Sequence, residues 1–404
     1  MIATCVPAIS RSTLSSSAEA WRTAAKLGAE YFTATPPWRL GPDGLRWWQA
    51  MTDRKPPRWA SANEILWETG TSRLRDFSAG STDEVVPTLV LPPQAGHDSC
   101  IVDYSTEQSQ MKVLHAAGLT RLYSMDWIGA TDATKHAGVE DYLADLDRAW
   151  GDIAPDGKFN LVGDCQGGWF ATIYAALHPE RVNTLTVAGA PIDFHGDAEI
   201  ARFVELLDPS FYKGLVAAHG GVMRGEYLLG GFITMRPENE IGRQLELLKN
   251  LNDAEHLERY AEFEDWFKHT QAVPGAFYLW IVEQLFRRNG LVNGSVAIGG
   301  RKVDLSRIEC PLFLLAGEKD HITPPAQVWA LEDATGTPAG KTERRLTTGG
   351  HLGLFMGREA LRDHWPELMS GVYAESVSNP RREAAKHAAQ EAAPDRPPAI
   401  QPGY

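Results

Sequence analysis

Apolar residues in the middle of this chain come in short runs that alternate with stretches of helical spacing. Val85-Val-Pro-Thr-Leu-Val-Leu91 is a compact apolar run closed by Pro92-Pro93, the pattern of a buried strand. Met111 to Ala117 has helical spacing, Thr120 to Asp126 reads as a second strand, and Val139 to Ile153 sets Tyr142, Leu143, Leu146 and Trp150 on one helical face. Phe159-Asn-Leu-Val-Gly163 is a third strand, Trp169 to Leu177 a helix closed by His178-Pro179, and Val182 to Ala188 a fourth strand. Such short alternation predicts an α/β fold with a mostly parallel sheet covered on both faces.

The rhythm lapses at 193–303, which is helix-rich and carries Phe203, Phe211, Tyr227, Phe263, Trp266, Phe277, Tyr278 and Trp280. Strand character resumes at Pro311-Leu-Phe-Leu-Leu-Ala316. A helical insertion between late strands of an open sheet would lie over the strand ends as a cap. Its aromatic residues are read chiefly as the insertion's own core. The expected organisation is an N-terminal helical segment (1–84), a catalytic core (85–192 and 304–375), a cap (193–303) and a tail (376–404) rich in Ala, Glu, Arg and Pro that is expected to be disordered. Within the first segment, Ser17 to Lys26 has helical spacing, and a tryptophan pair, Trp47 and Trp48, stands in Leu45 to Met51.

Composition narrows the function. A net charge of −13 argues against nucleic acid as a partner, since phosphate neutralisation needs clustered Lys and Arg. The N-terminal stretch has Ser and Thr where a signal peptide needs a continuous apolar run, and no segment offers 18 uninterrupted apolar residues for a transmembrane span. Cys5, Cys100, Cys165 and Cys310 are scattered without zinc-like or disulfide-like spacing, which reads as a reducing, cytoplasmic setting with free thiols.

One thiol stands out. Gly163-Asp-Cys165-Gln-Gly167 lies between the third strand and its helix, where the G-x-S-x-G elbow places a nucleophile, with Cys in place of Ser. The strained turn needs glycines two residues either side, and the following helix N-terminus favours a thiolate. The alternative is a buried structural Cys in a Gly-rich turn. The N–H of Gln166 would supply half an oxyanion hole. The other half should come from the loop after Leu91, where Pro92 and Pro93 have no N–H, so Ala95 is chosen over its neighbours Gln94 and Gly96. His97 and Asp98, just beyond, read as a surface turn.

A thiolate needs a base, and the base an orienter, in the chain order nucleophile, acid, His. Asp320 follows the strand ending at Ala316, and His351 sits in Gly349-Gly-His-Leu-Gly353. Together they make a Cys165–Asp320–His351 triad, with Glu318 and His321 as local rivals and His321 expected to point elsewhere. No P-loop, G-x-G-x-x-G or H-E-x-x-H motif is present, so phosphate, dinucleotide and metal chemistry have no support.

Gly163-Asp-Cys-Gln-Gly-Gly-Trp-Phe170 and Ala175-Ala-Leu-His-Pro-Glu-Arg-Val182 resemble the nucleophile region of polyhydroxyalkanoate (PHA) synthases, particularly the short two-subunit type, within the α/β-hydrolase superfamily. The likeness continues through Ser124 to Trp127, Phe263 to Trp266, Asn289 to Gly300, Lys319 to Pro325 and Gly349 to Gly353. The Cys, Asp and His fall on that family's catalytic positions. The loop Gly96-His97-Asp98-Ser99 and the bulky Trp169 depart from its pattern. The resemblance implies an α/β-hydrolase fold and a cytoplasmic acyltransferase at the surface of polyester granules. It also implies hydroxyacyl-CoA and a polyester chain as partners, a homodimer or a second synthase subunit, and no cofactor beyond the CoA thioester substrate.

Chemistry separates the alternatives. Thiolate attack on a CoA thioester keeps the acyl group activated, whereas forming a thioester from an ester is uphill. That favours a synthase over a polyester depolymerase or thioesterase using the same triad. A silent granule-binding scaffold is a third reading, against which the intact triad argues. Arg287-Arg288 could meet CoA phosphates, but such a pair is more often a solvated helix face.

Overall fold

The strands expected from the central runs assemble into one eight-stranded sheet in a computed structural model that describes residues 36–78, 81, 85–197 and 199–377, with residues 22, 25, 26, 28, 29, 31 and 33. Helix α1 (Pro37–Thr52) precedes a hairpin of β1 (Glu64–Glu68) and β2 (Ser72–Asp76). There follow β3 (Thr88–Leu91), α2 (Gln110–Ala116), β4 (Leu122–Trp127), α3 (Val139–Ile153), β5 (Phe159–Asp164), α4 (Gln166–Leu177) and β6 (Val182–Ala188). The sheet order is β1-β2-β4-β3-β5-β6-β7-β8, closed by β7 (Leu312–Gly317) and β8 (Thr342–Thr347). From β4 to β8 every neighbouring pair is parallel; β1 and β2 join antiparallel at one edge.

Alternation within the strands divides the core between the two faces, as a period of two requires. Leu89, Leu91, Leu161, Leu185 and Leu314 pack on one side with α3 and α4, while Val90, Val162, Phe313 and Leu315 pack on the other with α2 and the helical residues 365–377. Helix α3 shows why its stretch is legible. The Gly138 N–H donates to Asp141 Oδ2 at 2.7 Å, and Tyr142, Leu143, Leu146, Ala149 and Ile153 are all buried.

Three strands escape the sequence reading. β1 and β2 correct the expectation that 1–84 is helical, because residues 64–76 form the antiparallel edge of the main sheet. β8, Thr342-Glu-Arg-Arg-Leu-Thr347, is the opposite edge and has no apolar alternation. Its charges suit an edge: Arg345 pairs with Glu343 and Glu367, and Arg344 lies over Trp329. Of Ser17 to Lys26, only Arg22, Ala25 and Lys26 are described, and these are helical. Trp47 packs on Leu247, Leu251 and Tyr260, whereas Trp48 is exposed. The tail from 378 onward lies outside the described residues. Ser376 is buried, its hydroxyl accepting from Asn160 Nδ2 at 2.8 Å under the sheet.

Between β6 and β7 the chain forms α5 (Glu199–Leu206), α6 (Pro209–Ala218), α7 (Gly225–Met235), α8 (Pro237–Lys249), α9 (Ala254–Phe267) and α10 (Gly275–Trp280), the last running on as a π-helix over Ile281–Arg287. Buried Glu264 on α9 meets Arg243 of α8 at 2.8 Å and Arg54, beyond α1, at 3.5 Å. A carboxylate so deeply buried requires such partners.

Leu161→Ala should remove about 2–5 kcal/mol of stability, since the residue is fully buried at mid-sheet and the gap cannot collapse. Urea unfolding followed by circular dichroism measures the loss.

Candidate active site

The turn after β5 carries a strained residue. Cys165 has φ 51° and ψ −117°, a conformation that L side chains rarely adopt. Its neighbours allow it by having no Cβ. A Cβ on Gly167 would lie 1.9 Å from the Leu91 carbonyl oxygen, one on Gly163 2.5 Å from the Gly167 carbonyl oxygen, and one on Gly168 2.4 Å from Ala190 Cβ. Strand, turn and helix can meet so closely only with glycine there. The Cys165 N–H donates to the Ala188 carbonyl at 2.8 Å, which fixes the turn against β6. Cys165 thus stands at the N-terminus of α4, half-buried.

The loop after β7 supplies the carboxylate. Asp320 accepts the N–H groups of Ile322 and Thr323 on Oδ1, at 2.9 and 2.8 Å, which leaves Oδ2 for His351 Nδ1 at 2.7 Å. Both side chains are buried. A Cβ on Gly317 would sit 2.6 Å from the Gly349 carbonyl oxygen, so that glycine lets the His351 loop approach β7. Lys319 N–H donates to the same carbonyl at 3.1 Å.

Burial by itself would lower the pKa of His351. The Asp320 charge and hydrogen bond, together with the Cys165 sulfur facing the ring, outweigh it and hold the imidazole well above its ordinary value. The fold therefore brings together Cys165, His351 and Asp320 in a geometry that can move a proton from thiol to imidazole. Glu318 is exposed, and His321 lines a second cavity with Arg236 and Lys319.

Gln166 and Ala95 both face an apolar cavity of about 470 Å³ that contains Cys165. Gln94 lies beside them and donates to the Tyr142 hydroxyl at 2.5 Å. The expected surface turn at His97 and Asp98 is corrected. His97 stacks on Trp266 and Phe267, with ring centroids 5.0 and 5.9 Å away, and its Nε2 faces the Phe267 carbonyl at 3.1 Å. Burial there pushes its pKa down to about 4. Asp98 accepts from Gln271 Nε2 at 3.2 Å, its carbonyl accepts from Trp266 Nε1 at 2.9 Å, and Gln271 N–H donates to the Gly96 carbonyl at 2.7 Å. The presumed surface loop is in fact the seam between core and cap, a partnership that sequence periodicity does not carry.

The aromatic residues of the insertion divide. Trp266 and Phe277 are buried, while Phe203, Phe211 and Tyr227 are about half exposed and line the cavity on the Cys165 side. Trp169, on α4, is buried against Phe277 and Trp280 and lines the same cavity. Arg287 and Arg288 both pair with Glu283; Arg288 is exposed, whereas Arg287 is half-buried and also donates to the Leu207 carbonyl at 3.3 Å. Among the described residues, no cluster of three His, Cys, Asp or Glu could hold a metal, and no helix is long and apolar enough to cross a membrane.

A parallel sheet with an antiparallel edge, a nucleophile-elbow turn after its central strand and a helical insertion ahead of β7 defines an α/β-hydrolase fold. Within that class the chain belongs to the family described as "Protein of unknown function (DUF3141)", whose model matches residues 76–365. Among curated proteins it is similar to "Poly(3-hydroxyalkanoate) polymerase subunit PhaC" of Haloferax mediterranei, 28% identical over 82% of this chain and 68% of that protein. The protein of the same name from Allochromatium vinosum is 28% identical over 66% of this chain and 75% of its own length. A solved carboxylesterase from Nitrososphaera gargenis overlays 78% of this chain and 100% of its own, at 18% identity and a TM-score of 0.47.

Iodoacetamide should modify Cys165 about tenfold or more faster than Cys100 or Cys310. Burial, with Asp98 adding to it, raises the pKa of the Cys100 thiol, and burial pushes that of Cys310 up to about 12. Peptide mapping of a time course gives the order; equal rates at the three sites would contradict the elbow geometry.

Proposed function

We propose that this chain is a PHA synthase-like acyltransferase that moves hydroxyacyl groups from CoA thioester to a polyester chain through an enzyme thioester. The observation that carries the reading is the alignment of Asp320, His351 and Cys165 at the edge of an apolar cavity, in a chain whose relatives bear the name of polymerases.

In the first half-reaction His351 takes the thiol proton, and the Cys165 sulfur attacks the thioester carbonyl. The tetrahedral oxyanion is met by the N–H groups of Gln166 and Ala95, and the C–S bond to CoA breaks as His351 returns its proton to the leaving sulfur. In the second half, a hydroxyl at the end of the growing chain gives its proton to His351 and attacks the enzyme thioester. An ester forms and the Cys165–acyl bond breaks, leaving thiolate and imidazolium, so the site is ready for the next thioester. Asp320 holds the imidazole in the required tautomer and stabilises its cation. No redox or metal step is needed, and the CoA thioester is substrate rather than cofactor.

The cavity supports acyl transfer over hydrolysis. Phe194, Phe203, Phe211, Ile281 and Trp169 give it an apolar lining, and water reaching the enzyme thioester would release free acid instead of polymer. The reading also places the enzyme at a polyester surface, in the cytoplasm, with a second copy or second subunit as partner.

Purified protein given 3-hydroxybutyryl-CoA should release CoA and form polymer, and Cys165→Ala should lose at least about a thousandfold of that rate. CoA release with only free acid would make the chain a thioesterase. Acid liberated from amorphous polyester, without CoA release, would make it a depolymerase. Turnover unchanged in Cys165→Ala would remove the mechanism altogether.

A further inference from the structure

One buried carboxyl group at the site belongs to no step above. Asp164 ends β5 directly before Cys165 and is fully buried. Its side chain receives one hydrogen bond, from Gln110 Nε2 to Oδ1 at 3.3 Å. Gln110, the first residue of α2, is equally buried. Among the described residues, each side chain is left with one buried oxygen that has no partner: Oδ2 of Asp164 and Oε1 of Gln110. Two orphan acceptors on a pair of touching side chains are costly, and native interiors rarely keep them.

A single proton removes both. Placed on Asp164 Oδ2, it turns one orphan into a donor, and the other orphan, the Gln110 carbonyl oxygen, is the acceptor it needs. The existing N–H donation to Oδ1 closes the ring. We infer that Asp164 is an uncharged carboxylic acid, joined to the Gln110 carboxamide in a cyclic pair of hydrogen bonds, and that it is a positioning residue limiting the site around Cys165 to a net charge of minus one.

The surrounding charges agree. β3 and β6, which flank β5, carry no ionisable side chain. On α4 the only titratable group is Tyr174, bonded to Asp147 and Arg181. On α2 they are His115 and Lys112, whose Nζ donates to the Thr106 carbonyl. His351 is the cation that acts on Asp164, and it already has Asp320 as its anion. Burial pushes the Asp164 carboxyl up to about 8, against the opposing pull of the Gln110 hydrogen bond and the His351 charge.

The thiolate, the imidazolium and the Asp320 carboxylate together carry one negative charge. Ionising Asp164 would add a second beside the sulfur and so disfavour both the thiolate and the oxyanion that follows it. This consequence rests on the proposed role of Cys165; the protonation state of Asp164 does not.

Asp164→Asn tests both. It keeps the shape and supplies an amide that can make the same two bonds to Gln110 at every pH. With ¹³C-carboxyl aspartate, the wild type should show one carboxyl titrating near 8, absent from Asp164→Asn. Acyl-CoA turnover of the variant should stay within about threefold of wild type at neutral pH and lack the wild-type decline above pH 8. Because the folded-state pKa is raised, Asp164 costs the wild type stability increasingly as pH rises from the ordinary Asp range through about 8, so the melting-temperature advantage of Asp164→Asn should be larger at alkaline than at acid pH.

Aspartate carboxyls all ionised in the wild type at about pH 6 would overturn the inference, the orphan oxygens then being met by a trapped water. A folded Asp164→Asn that has lost turnover at neutral pH would overturn it too, by showing that the charge is needed. Should Asp164→Asn fail to fold, Gln110→Leu decides, because a resonance near 8 that does not move when Gln110 is lost is not this pair. A titration near 8 in a protein that turns over no acyl-CoA would leave the acid pair standing and remove the proposed function alone.

Discussion

The site depends on a steric constraint at one turn. Cys165 occupies a backbone conformation that its own Cβ disfavours, and it can do so because Gly163, Gly167 and Gly168 let β5, α4 and the end of β3 approach within distances that any side chain would forbid. That approach sets the position of the sulfur, the helix N-terminus beneath it and the loop at Ala95 relative to one another. Asp320 and His351 are then brought to the sulfur from β7 and from the loop after β8. The glycine at 317 again removes the one side chain that would hold those loops apart.

Around the sulfur, two carboxyl groups have different surroundings. Asp320 accepts two backbone N–H groups on one oxygen and meets the His351 ring with the other. Asp164 is cut off from solvent, which favours the acid and outweighs the single amide N–H that pulls the other way. In the proposed mechanism these two residues of one type are thus separated into Asp320, which holds the imidazole, and Asp164, which adds no charge beside the sulfur. The cap is held to the same site by hydrogen bonds rather than by packing alone: Gln271, Trp266 and His97 stitch it to the loop that carries Ala95. Movement of the cap would therefore be felt at the loop that carries Ala95.

Much of this was legible in the sequence, and the limits have physical causes. Central strands such as Phe159–Asp164 and Val182–Ala188 are buried on both faces, so their composition alone marks them. The elbow and the order Cys165, Asp320, His351 follow from a turn that only glycine can make and from loops that leave strand ends. Edge strands were invisible. Thr342–Thr347 and Glu64–Glu68 carry charges at positions that meet water, and they become strands only because a neighbour offers hydrogen bonds.

The sequence by itself determined the α/β alternation and named the residues that the fold gathers at the site, because short-range patterning and glycine geometry are local properties. Only the tertiary structure decided what surrounds them. Asp164 becomes a buried partner of Gln110 across 54 positions of chain, and His97 a stacked seam residue through Trp266 and Phe267. Burial and protonation state depend on who arrives from elsewhere in the chain, and no local pattern encodes that.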